Sequence, residues 1–253
     1  MRKMQKCALC LSGHIRGAFY DPYLKEFIKL LKSEYQVDIY VHTWDKSEAD
    51  KTYRYLSKES LHQVTEKEIL AYFNYPLAKI KIEKEQKIIL RGKQIGKIAS
   101  TQMPIRNWKL MIYGMFCCVD MAKQSGVHYD FIIRTRLDYF SRFHNKLGSR
   151  EPRSGIDIRK KINSLYKNIF AEIQNRTDKV CWLKDVGYPV GNLKLYIDNF
   201  YFGSHDKIHE LLNRMNSEEL DEIIPKIQKI SYDGPVQETF FYYINEAIEK
   251  NII

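Results

Sequence analysis

Three charged side chains, spaced two residues apart, lie at the end of an apolar run. The segment Phe131 to Asp138 has the sequence FIIRTRLD, and alternation along a strand puts Arg134, Arg136 and Asp138 on one face. A central parallel strand is normally apolar on both faces, and buried guanidinium groups are costly unless they meet anions. The pattern therefore indicates an anion site at the carboxyl end of a strand. Solvated arginines on an edge strand, or a structural Arg–Asp pair, are the alternatives.

A second segment, Leu11 to Gly17, follows the first apolar run and has the sequence LSGHIRG. Its small residues Ser12 and Gly13 let backbone amides approach a phosphate, and Arg16 offers a fork of donors to a pyrophosphate. No GK[ST] follows, so this is not a Walker P-loop, and no GxGxxG indicates a dinucleotide. An ordinary tight turn is the competing interpretation.

Two further places offer donors or a stacking surface. Thr43, Trp44 and Asp45 end a second apolar run, where the indole is able to stack on a base or sugar or to pack in the core. Lys109 lies in a long apolar helix, from which its side chain is able to extend toward phosphate.

Two carboxylates are candidates for a general base. Asp198 lies beside Asn199 in an aromatic strand, a combination that suits a sugar or that satisfies nearby backbone. Glu238 begins the last predicted helix, where the helix dipole stabilises either a catalytic base or an ordinary first-turn glutamate.

The order of predicted elements indicates an α/β fold. Apolar runs at 7–11 and 37–41 flank an amphipathic helix that starts after Pro22, which makes a βαβ unit with parallel strands. A capping box of Thr65 and Glu68 predicts a short helix. The other expected elements are a basic hairpin or excursion (79–97), a long helix (107–124), strands (129–137 and 193–202), a surface loop (141–161), a helix ending at 215 and a last helix from 236.

Composition and charge limit the function classes. The 253 residues are 44% hydrophobic and 13% aromatic, which excludes a disordered or collagen-like chain. The most apolar window, 110–119, is far shorter than the about 20 residues of a membrane span. We expect a cytoplasmic protein with free buried thiols, including those of the Cys7/Cys10 CxxC pair. The net charge of +10 predicts an anionic partner.

Five peptides carry a resemblance to a known family. CALCLSGHIRG, VDIYVHTWD, NWKLMIYGMFCCVDMA, YDFIIRTRLDYF and IDNFYFGS occur in that order. They resemble small bacterial and large-virus glycosyltransferases of surface-polysaccharide synthesis, which have a GT-A-type fold. The resemblance implies a GT-A-like (Rossmann-like) open, mostly parallel sheet flanked by helices. It implies a single domain, 1–253, with insertions or variable loops at 46–100 and 141–190.

The resemblance also implies roles for the residues. The first loop (Ser12, Gly13, Arg16) and Thr43 to Asp45 would bind the donor, a nucleoside-diphosphate sugar. Asp138 matches the last Asp of the GT-A DxD motif, which holds Mn²⁺ or Mg²⁺ against the diphosphate. Arg136 stands where the first Asp would be, and it is itself able to neutralise diphosphate charge. Glu238 resembles the base of inverting enzymes, with Asp198 as the second candidate.

The expected function is therefore transfer of a sugar to a glycan or lipid-linked acceptor, with an anionic membrane surface as an expected peripheral contact. One alternative is a non-catalytic binder of nucleic acid or anionic surfaces that uses the basic runs 79–97 and 142–161. Nucleic acid is not an expected partner, because no nucleic-acid-binding motif is present. A nucleotide-dependent hydrolase or nucleotidyltransferase on a similar sheet is a third interpretation.

Overall fold

The protein is an α/β protein built on an open, mostly parallel sheet, compatible with a Rossmann-like fold. The computed structural model describes residues 4–20, 22–48, 62–97, 104–140, 158–175, 180–184, 196–230 and 240–250. The strands are β1 (Lys6–Ser12), β2 (Gln36–Trp44), β3 (Lys79–Glu83), β4 (Phe131–Arg136), β5 (Cys181–Lys184) and β6 (Tyr196–Gly203). The helices are α1 (Tyr23–Glu34), α2 (Glu66–Phe73), α3 (Ile105–Gln124), α4 (Ile158–Asn175), α5 (His205–Met215), α6 (Leu220–Ile230) and α7 (Phe240–Glu249).

The six strands lie in the order β3-β2-β1-β4-β6-β5. Strands β1 to β4 pair in parallel, which confirms the predicted parallel arrangement of β1 and β2. Strands β6 and β5 add an antiparallel edge beside β4. The carboxyl ends of β1, β2, β3 and β4 therefore share one edge of the sheet, which is where open α/β sheets bind ligands.

Helices cover both faces of the sheet, and the alternation of each strand divides its side chains between two cores. On one face Leu9, Phe27 and Ile133 pack with α1, α2 and α4. On the other face Cys10, Ile132 and helices α3, α5, α6 and α7 form the second core. Because each fully buried aliphatic or aromatic side chain contributes about 1.5–3 kcal/mol, these layers hold the sheet edge in place.

The local signals of two helices are confirmed in detail. The five apolar residues of α1 that repeat at helical spacing are the buried ones: Tyr23, Leu24, Phe27, Ile28 and Leu31. Helix α2 begins after Thr65, whose hydroxyl accepts a hydrogen bond from the Glu68 amide as the capping box predicts. Ser204 precedes α5 but makes no side-chain cap.

Two expectations about the segments between the predicted strands need correction. The segment 79–97 forms no hairpin: its first five residues are β3, which pairs in parallel with β2 because Ile80 and Ile82 pack against the core. Residues 158–161 belong to α4, whose apolar face (Ile162, Leu165, Ile169) is buried, whereas 141–157 lie outside the described residues. Strand β5 lies within the segment 141–190, whose assignment as an insertion or variable loop stays a prediction.

The four cysteines with a described environment are free and buried, as expected. Cys7 and Cys10, three apart on β1, lie in opposite cores because an odd spacing reverses the face of a strand. Among the described residues, no helix has the length and apolar character that a bilayer crossing requires.

Helix α3 lies close against the sheet at Gly114. A β-carbon placed there would lie 3.0 Å from His42 Nδ1 and 3.2 Å from His42 Cε1. The imidazole has little room to move, since it is fully buried, hydrogen-bonded to Glu83 and in edge contact with the Trp44 ring. A glycine at this position therefore permits the contact between helix and strand.

We expect Gly114→Ala to lower the free energy of unfolding. Alanine gains about 1 kcal/mol of helix propensity over glycine, but overpacking a buried contact costs about 1–3 kcal/mol. Urea denaturation measures the difference, and Gly114→Val should lose more stability than Gly114→Ala. A stabilised Gly114→Ala protein would contradict the close approach.

Candidate functional site

Two loops meet at the carboxyl edge of the sheet, one after β1 and one after β4. Strand β1 pairs with β4 up to Ser12 and Arg136, and the amide of Leu137 then donates to the Ser12 carbonyl at 3.3 Å. This pairing brings residues 122 positions apart in sequence into direct contact. Most of the residues predicted for the donor site lie here.

Asp138 lies between two arginines. Arg136 donates from both sides of its fork, with Nε to Asp138 Oδ1 and Nη2 to Asp138 Oδ2, each at 2.7 Å. Arg16 Nη1 donates to Asp138 Oδ2, also at 2.7 Å. Since the Asp138 side chain is only 4% exposed, these charge-assisted bonds are poorly screened by solvent.

Glu48 contacts Arg16 from the opposite side. Its Oε1 lies 3.1 Å from Arg16 Nε, although the two atoms are not aligned for a hydrogen bond, so the contact is an ion pair only. The Arg16 amide donates to the Ser47 carbonyl at 2.8 Å, which holds the first loop against this segment. Glu48 lies in a polar stretch without periodicity, and sequence reasoning missed it because nothing local marks it as buried.

The backbone of the first loop takes the left-handed conformation twice. Gly13 has φ +110°, which suits glycine, and Arg16 has φ +47°, which is uncommon for a residue with a side chain. The Thr43 hydroxyl donates to the Gly13 carbonyl at 2.9 Å, and the Gly13 amide donates to the His42 carbonyl. These bonds tie the loop to the end of β2 and direct Arg16 toward Asp138.

Arg134 is buried on the strand itself, two residues before Arg136. Its Nη2 and Nε donate to the Ser12 hydroxyl at 2.9 and 3.2 Å, and its guanidinium lies 5.4 Å from the centre of the Tyr201 ring. Arg134 thus shares a face with Arg136, as the alternation predicts, and links Ser12 to β6.

Three other predicted donor residues lie outside this cluster. Trp44 is buried beside Leu90 and Leu110, so the structure favours the core-packing interpretation of its ring. Asp45 lines a shallow surface cavity of about 280 Å³ with Lys46, His62, Gln63 and Lys84. Lys109 is bound elsewhere: its ammonium lies 2.7 Å from Asp221 Oδ1 and 2.8 Å from the Arg91 carbonyl.

The structure describes the backbone around one of the two candidate bases. Asp198 lies in β6, which confirms its strand environment, and nothing is described of its side chain. Glu238 lies outside the described residues, as do Val236 and Gln237. The base assignment therefore stays a prediction.

The surroundings of Asp138 do not fit a divalent cation. Both carboxylate oxygens accept arginine N–H groups at 2.7 Å, and those lone pairs are the ones that Mn²⁺ or Mg²⁺ would need. Two guanidinium charges at that distance would also repel the ion. The arrangement fits a carboxylate that positions two arginines.

A second polar cluster lies nearby, between β2, β3 and α3. His42 Nε2 donates to Glu83 Oε2 at 2.9 Å, and the Tyr113 hydroxyl donates to the same carboxylate at 3.1 Å. Lys81 Nζ lies 3.0 Å from Glu83 Oε2 and 3.7 Å from Cys117 Sγ. Sequence reasoning missed this cluster because β3 was not predicted as a strand of the sheet.

Burial and hydrogen bonding act against each other on this cluster. Burial alone would raise the pKa of Glu83, but hydrogen bonds from His42 and Lys81 outweigh it and lower that pKa to about 2. Burial lowers the pKa of His42 below its ordinary value despite the Glu83 contact. At neutral pH the cluster therefore holds an ionised carboxylate and a neutral imidazole.

Comparison with protein-family models, with curated proteins and with solved structures gives no match to this chain.

The depressed pKa of Glu83 predicts a pH-dependent contribution to stability. The unfolded carboxylate titrates near 4.5 and the folded one near 2, so the contribution is complete above pH 4.5 and is lost as the pH falls toward 2. We expect the stability difference between wild type and Glu83→Gln to shrink over that range. Urea denaturation at several pH values measures it, and a constant difference would contradict the assignment.

Proposed function

We propose that the protein is a glycosyltransferase that moves a sugar from a nucleoside-diphosphate sugar to a glycan or lipid-linked acceptor, on a GT-A-like fold. The observation that carries the proposal is the joining of Arg16 and Arg136 through Asp138 at the carboxyl edge of the parallel strands. An anion-binding pair of guanidinium groups beside a glycine turn is the arrangement that a diphosphate requires.

The arginines supply the electrostatic part of the mechanism. As the glycosidic bond breaks, negative charge builds on the departing diphosphate, and fixed cations at that place lower the barrier. Asp138 keeps Arg16 and Arg136 oriented before the donor arrives, so little reorganisation is needed during the reaction. Arg134, buried behind them, adds a third positive charge to the same edge.

The nucleoside is assigned to the shallow cavity that Asp45 lines. The cavity adjoins the first loop, because His14 Nδ1 lies 3.2 Å from the Lys46 carbonyl and the Arg16 amide bonds to Ser47. A carboxylate at this position is able to accept hydrogen bonds from ribose hydroxyls. Trp44 packs in the core beside Leu90 and Leu110 and is not proposed to stack on the base.

Proton removal from the acceptor needs a base, and Glu238 and Asp198 are the proposed residues. A positioned carboxylate contributes about 10²- to 10⁴-fold to such a step. Mn²⁺ or Mg²⁺ enters the proposal only through the family resemblance, and no step is assigned to it, because Asp138 is bound to arginine on both oxygens.

We expect Arg136→Met to weaken nucleoside-diphosphate binding by about tenfold or more, since a charge-assisted hydrogen bond contributes about 1.5–3 kcal/mol. Binding of the corresponding nucleoside should change little, because it has no diphosphate. A thermal-shift screen of nucleosides, nucleoside diphosphates and nucleotide sugars measures both, with and without Mn²⁺. We expect the shift to persist in EDTA.

Arg214→Met is the matched control, since Arg214 pairs with Glu219 at the end of α5 rather than with Asp138. Equal diphosphate binding by wild type and Arg136→Met would contradict the proposed site. Release of pyrophosphate or monophosphate, rather than nucleoside diphosphate, would instead support the nucleotidyltransferase or hydrolase alternative.

The same screen separates the proposal from a non-catalytic basic binder. Binding to nucleic acid weakens steeply with salt because condensed counterions are released. Stabilisation by one nucleoside diphosphate and not by others would instead indicate a specific binding site. Such stabilisation increases with ligand concentration.

A membrane contact is proposed at the segment 84–97, between β3 and α3. Ile89 is 92% exposed and Ile95 is 85% exposed, although both are large apolar residues. Exposed cations surround them: Lys84, Lys87, Arg91, Lys93 and Lys97. Leu90 is buried beside Trp44, and the Lys93 amide donates to Asp221, so the segment is anchored while its isoleucines point outward. Apolar side chains within a basic surface suit an anionic bilayer.

The segment also adjoins the proposed donor site, because Glu85 Oε1 lies 3.0 Å from His14 Nε2 in the first loop. A membrane bound at 84–97 would therefore bring a lipid-linked acceptor toward the sheet edge. The cytoplasmic location of the protein stays a prediction.

We expect the double variant Ile89→Ser/Ile95→Ser to lose about tenfold or more in affinity for phosphatidylglycerol-rich vesicles, because each isoleucine buries apolar surface on insertion. Leu30→Ser on α1 is the matched control, because Leu30 is a half-exposed apolar residue with Glu26 and Glu34 one helical turn away on either side. Vesicle co-sedimentation at two salt concentrations measures the effect. Equal vesicle binding by wild type, the double variant and Leu30→Ser would contradict the proposed membrane contact at 84–97.

A further inference from the structure

The cluster between β2, β3 and α3 brings three metal-binding side-chain types together. The ligand atoms of His42, Glu83 and Cys117 all lie within 4.8 Å of one another. Among the described residues, no other group of three His, Cys, Asp or Glu side chains has ligand atoms this close together. Around a tetrahedral zinc ion, ligand atoms are about 3.3–3.8 Å apart, so small rotations of the Glu83 and Cys117 side chains toward the fixed imidazole would close the set.

Three separate elements hold the ligands in place. Lys81 and Glu83 lie two apart on β3 and share a face, and the parallel register sets Lys81 beside His42 on β2. Cys117 and Tyr113 lie four apart on α3, on the side that faces these strands. A site assembled from rigid strands and a helix needs no loop to order on binding.

A cation already lies within the cluster. The Lys81 ammonium lies 3.0 Å from Glu83 Oε2, 3.7 Å from Cys117 Sγ and 3.5 Å from the Tyr113 hydroxyl. Its side chain is 40% exposed, so it is able to swing into solvent and to admit an ion from the same direction. The ammonium therefore marks the position at which the surrounding oxygen and sulfur atoms favour positive charge.

We propose that His42, Glu83 and Cys117 form a binding site for a borderline divalent metal ion of the Zn²⁺ class. One imidazole nitrogen, one carboxylate oxygen and one thiolate match the ligand types that zinc prefers. The ion replaces the Lys81 ammonium and the thiol proton, which leaves to solvent. The fourth position is open to water.

Tyr113 supports the site from outside the ligand set. Its hydroxyl contacts both oxygens of the Glu83 carboxylate at 3.1 Å, and its ring stacks on Trp44 at 6.4 Å. Such outer hydrogen bonds fix the orientation of a ligating carboxylate. The site is separate from Asp138, whose oxygens are bound to arginine, and it is independent of the proposed sugar transfer.

The test is metal binding by the purified full chain, measured by equilibrium dialysis against Zn²⁺ and by the absorbance of the Co²⁺ form. Wild type should bind one ion at this site, with a thiolate-to-Co²⁺ charge-transfer band. Cys117→Ser should lose that band. The metal affinity of both Cys117→Ser and Glu83→Gln should fall by more than the about 10- to 100-fold that is typical when a residue outside the ligand set is changed.

Lys81→Met should bind the ion on the order of tenfold more tightly, because the competing positive charge is removed. His62→Gln is the matched control, since His62 also pairs with a glutamate, Glu68, but at the surface and outside the proposed ligand set. Circular dichroism reports whether each variant is folded. Unchanged affinity in folded Cys117→Ser and Glu83→Gln, or no binding by either wild type or Lys81→Met, would overturn the proposal.

Discussion

A carboxylate held between two guanidinium groups organises the edge of the sheet. Asp138 is almost fully buried, and so is the Glu48 carboxylate on the other side of Arg16. Removing such groups from water is costly, and each is tolerated because a partner charge lies within 3.1 Å. With Arg134 included, three guanidinium groups meet two carboxylates here. The charges of these described groups therefore compensate one another at least in part within the fold.

This interaction also determines the shape of the loops. The first loop leaves β1 through Gly13 and reaches Arg16 in a left-handed conformation, which is uncommon for a residue with a side chain. The ion pairs of Arg16, the Ser47 contact of its amide and the Thr43 hydroxyl on Gly13 hold that conformation. The parallel pairing of β1, β2 and β4 is what brings these groups to one edge, and the two packed helix layers keep them there.

The proposed sites lie along that edge rather than at one point. The Asp45 amide donates to the Glu83 carbonyl, so the cavity beside the first loop and the His42, Glu83 and Cys117 cluster are joined through the backbone. Beyond Glu83 the chain runs into the exposed basic segment that contains Ile89 and Ile95. Strand β3 thus connects three features that differ in chemistry: the cavity that Asp45 lines, the cluster of His42, Glu83 and Cys117, and an exposed apolar surface among cations.

Periodicity and local chemistry in the sequence determined β1, β2, α1, α3 and the Thr65 cap, because the signals for these elements lie within a few residues of each other. They also predicted that Arg134 and Arg136 share a face. Strand β3 was missed because alternating Lys and Ile suit a solvated ribbon as well as a half-buried edge strand. Only the tertiary structure decided that Asp138 is bound to Arg16, that Glu48 joins them, that Trp44 is core and that Lys109 pairs with Asp221. Those partners are far apart in sequence, and the free energy of a buried charge depends on which groups the fold brings within contact distance.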